Sequence, residues 1–175
     1  FPYDALRVSG LKHQSLYKDS YVCIAAKNNA AMYDGMDANA FMRLAHVGYS
    51  ALPRVTFNHE SMFWEDVESE ANYRLTMPDY LVFPRIVSNS DTVAIMPKRL
   101  AVSLAEQWPI KWIEPPVPMP QLDITQVWRP ARTQDPTLAW MRKTMAEITR
   151  EWSAYDTTPI GRDSAKRSVK RPSKR

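Results

Sequence analysis

One cysteine, Cys23, stands in 175 residues, so no disulfide can form within the chain. That sets aside the disulfide-stapled secreted scaffolds and favours a reducing, cytoplasmic setting. Glycine is nearly as scarce, with four in all, and none sits in a pattern whose backbone amides cradle phosphate. The Gly-x-Ser-x-Gly elbow of acyl-transfer serines, His-Glu-x-x-His and paired-cysteine motifs are absent as well. The three histidines, His13, His46 and His59, are scattered without metal-ligand spacing. No apolar run approaches the roughly 20 residues of a membrane helix, and Phe1-Pro2-Tyr3-Asp4 does not open like a signal peptide. These absences argue against an enzyme, a metal site, a cofactor and a membrane partner. The missing initiator Met suggests a processed piece or a fragment of a longer chain.

What is present is ordinary in bulk, with 45% hydrophobic and 24% charged residues, as in soluble globular proteins. The net charge of +4 is unevenly spread. Residues 159–175 hold Arg162, Lys166, Arg167, Lys170, Arg171, Lys174 and Arg175 against Asp163, leaving the other 158 residues at −2. The tail is poor in apolar side chains and cannot repay the entropy of ordering, so residues 153–175 are expected to be disordered. Two readings of it stand: salt-sensitive attraction to a polyanion such as nucleic acid, or a solvated extension.

Along the chain, apolar runs alternate with helical spacings. Tyr21 to Ala26 is a continuous apolar run, suited to a strand covered on both faces as in parallel sheets. A helix is expected from Asp37 to Leu44, capped by Asp37. A short strand at His46–Ser50 follows, then a helix over Ser61–Asn72 and a strand over Tyr73–Met77. Tyr80–Val87 reads as helical, with Pro84 in its first turn or kinking it. Val93–Met96 is a strand feeding through Pro97 into a helix, with Leu100, Ala101, Leu104, Ala105 and Trp108 at helical spacing. Ile110–Ile113 and Leu122–Trp128 read as strands, joined by the stiff Pro115–Pro120 connector. Asp135-Pro136 opens a last helix, placing Leu138, Met141, Met145, Ile148 and Trp152 on one inward face.

Strands alternating with helices predict an α/β protein with largely parallel sheets. The proline bridge fits a chain that leaves one lobe and returns to another. His46, between a helix and a strand, is a candidate donor to a ligand oxygen or a satisfied buried histidine. Asp79 after Pro78 reads most simply as a helix cap. Cys23, in mid-strand, reads as a core residue.

As a string of residues, Ser90-Asp91-Thr92-Val93-Ala94-Ile95-Met96-Pro97-Lys98-Arg99-Leu100-Ala101 is more specific. It resembles the signature strand and helix of the effector-binding domain of LysR-type transcriptional regulators. The likeness continues through Pro116–Pro120, Ile124–Trp128 and Asp135-Pro136-x-x-x-Trp140-Met141-Arg142. Gly10-Leu11 and Leu16–Cys23 resemble that family's crossover strand. The strongest likeness is to the subgroup responsive to salicylate, nitroaromatics and nodulation flavonoids, through Phe41 followed by His46-Val47. Met77-Pro78-Asp79 departs from it, since salicylate responders carry a second cleft histidine after Val-Pro, and an acid there repels an anionic ligand. Arg129 stands where the family often has His.

The resemblance implies a two-lobed, periplasmic-binding-protein-like fold with an incomplete first lobe. Residues 1–19 would end the first-lobe segment and cross over, 20–115 form the second lobe, and 116–152 return to the first. It implies a non-catalytic, homo-oligomeric sensor of a small aromatic effector bound between lobes, with His46, Asp79 and Thr125 as effector-binding residues. It further implies promoter DNA as a partner, through a winged helix-turn-helix that is not in this chain, and RNA polymerase as another. The alternative is a non-catalytic solute-binding protein of similar two-lobed fold.

Overall fold

A computed structural model describes residues 10–49 and 72–153. Of the helix expected over Ser61–Asn72 all but Asn72, which begins a strand instead, lies outside these described residues, as does the basic tail from residue 154 onward. Its centre is strand β2 (Tyr21–Ala26), all six residues of which are buried. Around it are β3 (Ala45–Tyr49), β4 (Asn72–Met77), β5 (Val93–Pro97) and β6 (Ile110–Ile113), in the order β4-β3-β5-β2-β6. A separate antiparallel ribbon pairs β1 (Lys12–Asp19) with β7 (Leu122–Trp128).

The expected α/β class is found, but the sheet is mixed rather than largely parallel. β3 runs parallel to β4 and β5, whereas β2 is antiparallel to both of its neighbours, β5 and β6. The apolar run Tyr21–Ala26 shows that both faces are covered. That condition holds equally for a central antiparallel strand in a layered sheet, so composition carried no information on direction.

The two-residue period of a strand divides the core cleanly. Tyr21, Cys23 and Ala25 join Val93 and Ile95 on one face, under Met32, Met36 and the helix α1 (Ala38–Arg43) through Phe41 and Met42. Val22, Ile24, Ala94 and Met96 line the other, under α2 (Phe83–Val87) and α3 (Lys98–Ala105) through Phe83, Val87 and Ala101. Asp37 caps α1 by accepting from the Ala40 amide at 2.8 Å. Pro84 lies in the first turn of α2, where it costs no intrahelical bond. Lys111 on β6 donates to the carbonyls of Asn29 and Met32, tying the loop after β2 back to the sheet.

His46 holds the junction between α1 and β3. It is 1% exposed, and its Nε2 donates to the Phe41 carbonyl at 2.9 Å, while the Phe41 ring meets it edge-on at 5.1 Å. On the neighbouring strand, Tyr73 leaves no room beside Gly48, where a Cβ would lie 2.7 Å from Cε1 of that ring.

The last helix, α4 (Pro136–Ser153), starts as expected, with Asp135 Oδ1 accepting from the amides of Thr137 and Leu138 at 3.1 Å each. Its apolar stripe does not turn inward as expected. Met141, Met145 and Ile148 are 47%, 42% and 45% exposed. The side facing β1–β7 carries Arg142, whose guanidinium lies 4.7 Å over the Trp128 ring, and whose carbonyl accepts from Gln126 Nε2. A two-stranded ribbon is the only sheet beside this helix among the described residues, and it covers one side alone.

Two outcomes follow from this packing. Gly48→Ala should destabilise by about 1–3 kcal/mol through overpacking against Tyr73. In denaturant titrations, adding Tyr73→Ala should cost less in the Gly48→Ala background than in the wild type, and strict additivity would contradict the contact. Burial, outweighing the hydrogen bond to Phe41, pushes the His46 imidazole below its ordinary value. It therefore stays neutral in the fold while the unfolded chain protonates near pH 6.5. The unfolded state then binds more protons, so this contribution is whole above about pH 6.5 and is lost as pH falls toward the depressed folded value. Wild type should lose stability on acidification more steeply than His46→Gln, by up to about 1.4 kcal/mol per pH unit; parallel pH curves would count against it.

Candidate functional site

Strand direction decides where a ligand can meet polar groups, because open α/β sheets bind at the carboxyl ends of parallel strands. Here β3, β4 and β5 end at Tyr49, Met77 and Pro97, and Tyr21 at the start of β2 pairs with Pro97. The carboxyl edge is thus also the edge at which the chain crosses from β1 into the sheet.

Two clusters of side chains lie along it. The Tyr49 ring stacks on Tyr80 with centroids 4.4 Å apart and planes 12° from parallel, and Tyr80 meets Phe83 edge-on at 5.4 Å. Both tyrosines are half-buried against the core. Asp79, exposed, follows β4 after Pro78 and accepts from the Leu81 amide at 2.8 Å through Oδ1. The expected cap is therefore present, on a 3-10 turn (Tyr80–Val82) that runs into α2. At the crossover the Lys98 amide donates to the Ser20 carbonyl at 2.8 Å. The Arg99 amide lies 3.4 Å from Asp19 Oδ2, with its guanidinium 4.9 Å over the Tyr17 ring. Lys98 Nζ sits 3.4 Å from Glu114 and 5.1 Å over Trp112. Burial first, then the Asp19 charge, pushes the Tyr17 phenol above its ordinary value and keeps it protonated.

The three residues singled out from sequence are not brought together. Asp79 lies on the carboxyl edge. Thr125 is buried, 3% exposed, on β7 opposite Ser15 in the ribbon. His46 is near the amino end of β3, level with Val93 and Ala25 and therefore at the far edge from the crossover. A helix–strand junction is visible in sequence; which end of the sheet it occupies depends on the strand directions. Sequence reasoning passed over Tyr49 and Tyr80. Their signal was a tyrosine at the end of one strand and another just after the next.

Among the described residues no group of three His, Cys, Asp or Glu is placed to hold a metal ion, and no helix is long and apolar enough to cross a membrane. Cys23 is fully buried, and burial pushes its thiol far up, so it packs as a small apolar residue.

Comparison with known proteins gives the arrangement a family. Nodulation protein D 2 of Rhizobium tropici is 23% identical over 139 residues, covering 77% of this chain and 43% of that protein. The chain thus spans less than half the length of that relative. Among solved structures, a putative transcriptional regulator from Vibrio parahaemolyticus superposes with a TM-score of 0.71 at 16% identity, covering 86% of this chain and 69% of that one. The effector binding domain of QuiR, in complex with shikimate, gives 0.63 at 15% identity, covering 83% and 68%. At such identities these structures establish the fold, that of periplasmic-binding-protein-like regulatory domains. A family model described as the LysR substrate binding domain matches residues 2–150, and the chain belongs to that family.

Proposed function

We propose that the chain is the ligand-sensing portion of a LysR-type transcriptional regulator. In this reading a small aromatic effector binds between a first lobe, to which the β1–β7 ribbon belongs, and a second lobe formed by the five-stranded sheet. Effector occupancy biases the lobe geometry, and a ligand shifts that equilibrium only by its difference in affinity for the two arrangements. The observation that supports the reading is that the carboxyl edge of β3, β4 and β5, along which Asp79 and the stacked Tyr49 and Tyr80 lie, is also the edge at which the chain crosses in from the ribbon. QuiR, bound to shikimate, supports a small organic molecule as the type of ligand.

Residues 20–115 are then the second lobe and 116–152 the return to the first. Asp79 and Thr125 touch the effector directly. His46 enters through the likeness of Phe41 and His46-Val47 to aromatic responders, and its contact with an effector requires release of the Phe41 carbonyl. The reading is non-catalytic and cytoplasmic, with a homo-oligomeric regulator engaging promoter DNA and RNA polymerase. A solute-binding protein of the same fold shares the crevice but not the coupling to DNA.

Thermal-shift measurements on the full chain against single-ring aromatics should find ligands that raise Tm with concentration. Calorimetry with the best of these should show Kd raised about tenfold in Thr125→Val and in His46→Ala, each first shown to be folded by circular dichroism, as for loss of one buried hydrogen bond. Equal affinity in His46→Ala removes His46 from the site, and the absence of any aromatic ligand removes the proposal.

A further inference from the structure

The carboxyl edge carries information about the charge of what binds there. Resting on the effector-binding reading, we infer that the ligand is an aromatic ring bearing a cationic or neutral hydrogen-bond donor, and that Asp79 disfavours aromatic carboxylates. Three observations combine. First, the Asp79 carboxylate is held rather than free to swing, because Oδ1 accepts from the Leu81 amide at 2.8 Å. Its second oxygen remains an acceptor, and among the described residues no basic side chain pairs with it. Second, the residue next to it, Tyr80, is stacked face to face on Tyr49 and braced edge-on by Phe83. That holds the Tyr80 ring, on the residue following Asp79, in one orientation at little entropic cost. Third, the cations at the crossover, Lys98 and Arg99, lie against Glu114, Trp112 and Tyr17 rather than against Asp79.

A ring bound at this edge with its substituent toward Asp79 meets an acceptor-only group. An ammonium gains both a charge-assisted hydrogen bond and Coulomb attraction, a hydroxyl gains the hydrogen bond alone, and a carboxylate meets repulsion with no proton to share. Asp79 is exposed, so screening keeps the effect modest. The expected separation between cation and anion is about tenfold.

The test is calorimetry of the full chain at neutral pH and low salt with benzylamine, benzyl alcohol and benzoate, which share a ring and differ in the charge of the head group. Affinity should fall in that order, with about tenfold between the first and the last. Asp79→Asn should make the three converge; asparagine can still cap the turn, so the fold is kept. Tyr80→Leu should weaken all three alike. Benzoate binding as tightly as benzylamine, or an order that survives in Asp79→Asn, overturns the inference while leaving an aromatic site in place. If none of the three binds while other single-ring aromatics do, this inference falls and the effector-binding reading stands.

Discussion

Everything in the larger sheet depends on the complete burial of one six-residue strand. β2 has no exposed face and no exposed edge: its faces are covered by the two halves of the core and its backbone pairs with β5 on one side and β6 on the other. A buried peptide group left unpaired costs free energy comparable to a lost hydrogen bond, so the register of both neighbours is dictated by this strand. The level of Pro97, Ile113 and the carboxyl edge follows from that register. So does the entry of the crossover from β1 at that same edge.

Much of this was legible in the chain itself, because it rests on local physics. The apolar run Tyr21–Ala26, the Asp37 and Asp135 caps, Pro84 at the start of a short helix and the strands of β5, β6 and β7 are each set by side chains within a few residues of one another. Direction and distance were not legible. The orientation of β2 is decided by where the chain arrives from, which no hydrophobic pattern encodes. Asp79 illustrates the mixture: its role as a cap was readable from Pro78-Asp79, its placement on the carboxyl edge was not.

Helix α4 shows how an amphipathic pattern can be read correctly as a helix and incorrectly as a burial. The spacing of Leu138, Met141, Met145 and Ile148 does form a stripe, yet the ribbon takes the adjoining side, using a guanidinium on an indole and a backbone carbonyl. Polar groups serve here because the ribbon presents Gln126 and Trp128 rather than aliphatic side chains. Periodicity identifies a face; what lies opposite determines whether that face is the one covered.

Only Ser20 separates β1 from β2, and the backbone at that residue is hydrogen-bonded to the first turn of α3 while Tyr17 and Asp19, just before it, meet Arg99. The connection between the two sheets is consequently a short lever clamped at its fulcrum. Torque applied to the ribbon reaches α3 directly, without passing through the hydrophobic interior, so a tilt of one sheet and a shift of that helix form a single mechanical event.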